Sequence, residues 1–151
     1  MNAPHRRAIA TLALALIVPV ALEGRQSNES AVIVQFQRAA DAYAFQHRQV
    51  ERRGAAPAAL AEGGFFTPQA AAAFRDRLRA AGCERPQAVE GNFVVPRVNS
   101  AIDGTSPLSP CLAAALPKLP PELEYRVAGV ALILADAHLH VVVDVLHAAW
   151  S

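Results

Sequence analysis

The sequence predicts an α+β fold, with two helices packed on a C-terminal three-stranded antiparallel β-meander and a proline-rich crossover between them. Three observations predict it: a dense run of β-forming residues from Glu122 to Leu146, two apolar helical stripes before that run, and seven prolines within residues 83–121. A sheet this small is marginal by itself, so its apolar face needs the helices. At 151 residues, a single domain is the natural expectation.

The N-terminal segment, residues 1–24, resembles a targeting sequence. His5 to Arg7 supplies a positive end, and Ala8 to Leu22 follows without a charged residue. This stretch suits the core of a signal peptide and is short of the ~20 apolar residues of a membrane span. We expect cleavage near Gly24, which leaves residues 25–151 as one exported domain in the periplasm or outside the cell. An uncleaved N-terminal anchor is the alternative.

Composition excludes some classes of partner. The chain carries 14 Lys+Arg and 13 Asp+Glu, and removal of residues 1–24 makes the two numbers equal. A neutral domain lacks the basic footprint that nucleic acid requires, so no nucleic-acid partner is expected. Electrostatic binding to a membrane is not expected either, and membrane contact would come only from an uncleaved N-terminal segment.

The stretch from Ser27 to Arg53 predicts a long helix, because apolar residues recur along it at spacings of three and four. Ser27, Asn28 or Ser30 can cap its start, and Gly54 closes its end. The apolar stripe consists of Val32, Phe36, Ala39, Ala40, Tyr43, His47 and Val50. We interpret His47 as a packed histidine at the edge of the core rather than a ligand.

A second helix is predicted from Pro68 to Ala81, with Thr67 as its N-cap and Gly82 after its end. Its buried side is expected to carry Ala71, Phe74, Leu78 and Ala81. We interpret its charged residues as an ordinary solvated face: Arg75, Asp76, Arg77 and Arg79.

Two-residue turns at Gly129-Val130 and Ala137-His138 divide the β-forming run into three strands. Pairing outward from these turns places Tyr125 opposite Leu134 and Leu134 opposite Val141. The face toward the helices then carries Leu123, Tyr125, Val127, Leu132, Leu134, Leu139, Val141 and Val143. The other face, expected to be open to solvent, carries Glu124, Arg126, Ala131, Ile133, Ala135, His140, Val142 and Asp144.

The chain has two cysteines, Cys83 and Cys111. In an exported domain they are expected to pair as a disulfide. The bridge would stabilise the fold by about 3 kcal/mol in the chain-entropy account and would fasten the proline-rich segment to the second helix.

Three stretches of the chain carry a family resemblance. They are Tyr43 with His47, the segment FFTPQAAAAFR, and LPPELEYRVAG followed by LILADAHLHVVVDV. Together they resemble an uncharacterised family of small exported bacterial proteins, whose C-terminal part reads roughly PPELEYR-x-x-G…L-D-x-H-x-N-L-I-V-D. The positions that match are Glu124, Tyr125, Arg126, Gly129, Asp136, His138 and Asp144, whereas His140 stands where the family pattern has Asn. The resemblance implies the compartment and the fold and implies no activity.

No phosphate-binding loop, nucleophile elbow, H-E-x-x-H or C-x-x-C motif is present, and no catalytic residue, cofactor or metal is expected. The best functional interpretation is a non-enzymatic binding or interaction module for an unknown protein or small molecule. Its candidate binding patch consists of Glu124, Arg126, His138, His140 and Asp144. One alternative is a metal-dependent enzyme that uses His138, His140 and an aspartate. Another is a membrane-anchored structural protein.

Overall fold

The computed structural model describes residues 20–55, 58–86 and 94–150, with side chains from residue 28 onward. Its elements are α1 (Val20–Arg53), α2 (Pro68–Ala80), β1 (Ser106–Pro107), α3 (Pro110–Ala115), β2 (Leu123–Ala128), β3 (Ala131–Asp136) and β4 (Val141–Leu146). The four strands form one antiparallel sheet in the order β1-β2-β3-β4. The α+β class is confirmed, and the sheet has four strands instead of three.

Helix α1 begins at Val20, so the prediction that it starts at a cap near Ser27 is wrong. Serine and asparagine favour caps, but inside an exposed helix they cost only a fraction of a kcal/mol each, so they do not have to end it. The predicted signal segment, residues 1–24, lies outside the described residues except for 20–24, which belong to α1. Within the described part of the chain, no helix has the length and hydropathy that crossing a bilayer requires.

Helix α2 begins as predicted. The Thr67 hydroxyl accepts the N–H of Ala70 at 3.3 Å, and Pro68 occupies the first turn. The helix packs against α1 through aromatic rings, with the centroids of Phe36 and Phe74 4.7 Å apart and the ring of Phe66 against both. Burial of these rings places the main apolar core between the two helices and one face of the sheet.

The predicted pairing of β2 with β3 is confirmed, with Tyr125 opposite Leu134. The predicted pairing of β3 with β4 is wrong, because Leu134 lies opposite Asp144 instead of Val141. The turn between these strands spans residues 137–140, two residues more than predicted. A β-bulge then places one extra residue, Val143, between the partners of Leu134 and Ala135.

The bulge changes which side chains of β4 point toward the helices. Val143 and Leu146 join the core under the helices, whereas Val142 and Val145 belong to a second cluster on the opposite face. Asp144 has no exposed surface and accepts hydrogen bonds from the loop before α2. Its predicted place on a solvent-exposed face is therefore wrong.

The face of the sheet that was expected to be open is covered. Ile133 has no exposed surface and packs in a cluster that includes Val95, Val98 and Ile102 from the proline-rich segment. The backbone of the same segment pairs with β4, since the N–H of Val142 donates to the carbonyl of Ser100 at 2.8 Å. The proline-rich stretch is thus a second layer over the sheet, and it also supplies β1.

The predicted disulfide is present. Cys83 follows α2 and Cys111 lies in α3, with their Cα atoms 6.0 Å apart. Because the bridge joins the two ends of the segment that covers the outer face of the sheet, it limits how far that layer can separate from the core.

Candidate metal centre

The turn between β3 and β4 is fixed by Asp136, the last residue of β3. One carboxylate oxygen, Oδ1, accepts the backbone N–H groups of His138 at 2.9 Å and Leu139 at 2.7 Å. The other oxygen, Oδ2, accepts the hydroxyl of Tyr43 on α1 at 2.7 Å. One buried carboxylate therefore shapes the turn and attaches it to the helix.

Burial raises the pKa of Tyr43, and the hydrogen bond to Asp136 and the negative charge of that carboxylate raise it further. The hydroxyl consequently stays protonated and acts as a donor throughout the physiological pH range. A second attachment lies close by, where Arg48 of α1 pairs with the buried carboxylate of Glu122. Burial by itself raises the pKa of Glu122, but hydrogen bonds from Arg48 and from the backbone, with nearby positive charge, outweigh it and hold that pKa below its usual value.

Three possible metal ligands meet beside these two attachments. His47 and Glu51 lie one turn apart on α1, which places them on the same side of the helix. His138 comes from the β3–β4 turn. His47 Nε2 lies 3.5 Å from Glu51 Oε1, and His138 Nδ1 lies 3.4 Å from the same oxygen.

These separations suit a transition-metal ion. Tetrahedral ligands at the ~2.0–2.1 Å bond lengths of zinc lie about 3.4 Å from one another. Two of the three separations have this value, and all three ligand atoms lie within 4.8 Å of each other. The side chains of Glu51 and His138 are 47% and 46% exposed, so an ion could reach them from solvent.

His47 itself is only 4% exposed, and neither of its ring nitrogens has a hydrogen-bond partner among the described residues. Buried polar nitrogens without partners are rare in folded proteins and call for an explanation such as a water or an ion. Two carboxylates lie near Nε2, because Asp136 Oδ2 is 3.6 Å away in addition to Glu51. The surroundings of this nitrogen therefore favour a cation.

The interpretation of His47 as a packed residue is correct about its burial, but it did not include the contacts of this histidine with Glu51 and His138. The helical spacing of His47 and Glu51 was visible in the sequence, yet many exposed helices carry such pairs without any ion. The contact with His138 joins positions far apart in the chain and depends on the four-residue turn, which was not predicted.

The predicted binding patch does not form as one surface. Asp144 lies on the helix side of the sheet, fully buried. The guanidinium of Arg126 donates to the side chain and the carbonyl of Thr105 and to Glu124 Oε1 at 3.0 Å, so it is held by its own neighbours. His140 is exposed at the end of the turn with a φ of 55°. Of the pair His138 and His140, only His138 joins the metal-ligand cluster.

No family model matches the chain, and no curated protein or solved structure is significantly similar to it. The resemblance to a family of small exported proteins thus stays a prediction.

Proposed function

We propose that this chain is an exported binding domain whose ligand is a divalent transition-metal ion of the zinc class. The observation that carries the proposal is the buried His47. Its ring nitrogens have no hydrogen-bond partner in the described part of the chain, and its Nε2 lies 3.5 Å from Glu51, beside His138. Imidazole nitrogens suit zinc, copper, nickel and iron, whereas calcium and magnesium prefer sites made of oxygen ligands. A set of two histidines and one carboxylate therefore favours a transition metal.

The site is held by the fold before any ion arrives. Tyr43 and Arg48 fix α1 against Asp136 and Glu122, so the backbones that carry the three ligands are already in place. Preorganised ligands lose less conformational entropy on binding, which supports useful affinity in a small domain.

The disulfide supports the exported compartment, because such bridges persist in oxidising environments. We propose the periplasm or the extracellular space as the location, with residues 1–24 as the signal. Mass spectrometry of the mature N-terminus tests this. A chain that retains residue 1 would favour the membrane-anchored structural protein.

A metal-dependent enzyme is the second candidate function. Two histidines and one glutamate form the ligand set of catalytic zinc sites, which keep a position open for water or substrate. The half-exposed Glu51 and His138 place that open position toward solvent. The enzyme would thus use His47 and Glu51 with His138, in place of His140 and an aspartate.

The experiment is a calorimetric titration of Zn²⁺ into tag-free protein that has been treated with a chelator. We expect one ion per chain, and we expect Glu51→Gln and His138→Ala to weaken binding by about tenfold or more, since each removes one of three ligands. His140→Asn is the matched control, because it removes a neighbouring exposed imidazole and asparagine tolerates the positive φ.

Two outcomes would refute the proposal: the absence of one-to-one binding, or equal losses from His138→Ala and His140→Asn. Hydrolysis of an activated ester by the zinc-loaded protein separates the two candidates. Zinc-dependent turnover that Glu51→Gln abolishes would favour the enzyme, and tight binding without turnover would favour the binding domain.

A further inference from the structure

We infer that the protein has a second binding site, independent of the metal-ligand cluster, which takes a small oxyanion in a cavity at the end of α2. The cavity has a volume of about 220 Å³. It lies between α2, the segment of residues 82–85 that follows this helix, and the C-terminal residues 149–150. Three arginines line it, and of the described residues that line it none is acidic. These arginines are Arg75, Arg79 and Arg85.

This concentration of positive charge contrasts with the chain as a whole, whose formal net charge is only +1. Arg79 lies in the last turn of α2, where a cation also complements the helix dipole. That effect does not account for Arg75, one turn earlier, or for Arg85, which lies beyond the helix.

The three arginines have different amounts of donor capacity to offer. Arg75 donates from Nε to the carbonyl of Ala148 at 3.1 Å and from Nη2 to that of His147 at 2.9 Å, so it mainly holds the C-terminal segment in place. Arg79 donates from Nη1 to Asp76, and Arg85 donates from Nη1 to the carbonyl of Trp150. A guanidinium has five N–H donors, and among the described residues Arg79 and Arg85 each use one of theirs, so most can donate to a ligand.

The Asp76 carboxylate would compete with a bound anion for Arg79, but its interaction with Arg79 is weak. Asp76 and Arg79 form an exposed pair, with side chains 53% and 59% exposed, and exposed pairs of this kind are readily replaced. The planar fork of a guanidinium matches the oxygen spacing of both phosphate and carboxylate groups. Leu78, Ala149 and Trp150 also line the cavity and add apolar surface, which suits the carbon atoms beside such a group.

The chain contains one tryptophan, Trp150, and it lines this cavity, so its fluorescence reports on the site directly. We expect inorganic phosphate, added at constant ionic strength, to change that fluorescence in a saturable, one-to-one manner, while chloride does not. A phosphomonoester and succinate form the other arms of the titration. Tighter binding of the phosphomonoester would assign the ligand as a phosphate ester, and tighter binding of succinate would assign it as a carboxylate.

Arg79→Gln and Arg85→Gln are each expected to weaken the preferred anion about fivefold or more, since each removes one charged fork. Arg52→Gln, an exposed arginine of α1 that does not line the cavity, is the matched control. The inference is overturned if no anion gives a saturable change. It is also overturned if Arg52→Gln weakens binding as much as the cavity variants, because binding would then follow overall charge.

Discussion

Replacement of Asp144 should be among the most destabilising single changes in the chain, although no sequence pattern marks this residue as structural. Its carboxylate accepts the backbone N–H groups of Gly63, Phe65 and Phe66, each at 2.8 Å, and the N–H of Val145 at 2.9 Å. These bonds hold the loop that leads into α2, so Asp144 connects the second helix to the sheet.

The magnitude follows from the number of bonds and from their burial. A hydrogen bond to a charged group contributes about 1.5–3 kcal/mol, and a buried donor left without a partner costs about 1–3 kcal/mol. Gly63 is exposed, so water can replace its bond, whereas Phe66 is buried and its N–H would be left without an acceptor. The four contributions do not simply add, because Ala also removes the cost of burying the charge. We therefore expect Asp144→Ala to lower the free energy of unfolding by about 3–5 kcal/mol, the cost of breaking a buried charged contact and a large share of the ~5–15 kcal/mol of a typical domain.

Urea unfolding followed by circular dichroism measures this loss. With a slope of about 2 kcal/mol per molar, the midpoint should fall by about 2 M. Asp144→Asn keeps one acceptor oxygen but turns an NH2 donor toward two of the backbone N–H groups, so it should also be clearly destabilising. Asp103→Asn, in an exposed loop position, is the control and should change stability by less than about 0.5 kcal/mol. A midpoint for Asp144→Ala equal to that of the control would refute the assignment of the carboxylate as the anchor of the loop.

Three further predictions follow from burial, charge and the disulfide. Ile133→Ala and Leu134→Ala should lower the free energy of unfolding by similar amounts, about 2–5 kcal/mol each, because neither side chain has exposed surface. Urea unfolding measures both, and a much smaller loss for Ile133→Ala would show that its face of the sheet is open. The pKa of Glu122 is depressed in the folded protein, so the stability that this carboxylate contributes is present above its unfolded pKa and is lost as the pH falls through the lower folded value. Glu122→Gln should therefore reduce the loss of unfolding free energy at acidic pH, and an unchanged pH dependence would contradict the shift. Peptide mapping without reductant should recover the peptide pair joined by Cys83 and Cys111, and two free thiols in protein from its native compartment would contradict the bridge.

The parts of the fold that could be predicted depend on local patterns. Helix α2 follows from its cap, its proline and the spacing of its apolar residues, and the β2–β3 hairpin follows from the turn at Gly129. Pairing of β3 with β4 could not be predicted in the same way. The run from Leu139 to Leu146 is mostly apolar, so its sequence is compatible with more than one pairing register. A bulge at Val143 therefore leaves no signal in the pattern of apolar and polar residues.

The same error explains why Asp144 was placed in the candidate binding patch. A register without the bulge places Asp144 on the same open face as Arg126, with the central strand between them, whereas the bulge turns the carboxylate toward the helices. The covering of that face was missed for another reason. Val95, Val98 and Ile102 lie in a proline-rich segment without periodicity, and irregular chains give no sequence signal for the surface on which they pack.

Two buried aspartates on the helix side of the sheet connect it to the helices. Asp144 holds the loop before α2, and Asp136 holds α1 through Tyr43 while shaping the turn that carries His138. Both carboxylates have their hydrogen bonds satisfied by the chain itself, so neither depends on an ion. Of the three side chains that could bind the ion, Glu51 and His138 are half exposed and lie outside this framework, whereas His47 is buried beside it. Removal of the Glu51 or the His138 side chain should therefore weaken the proposed metal binding by about tenfold or more in a protein that still folds.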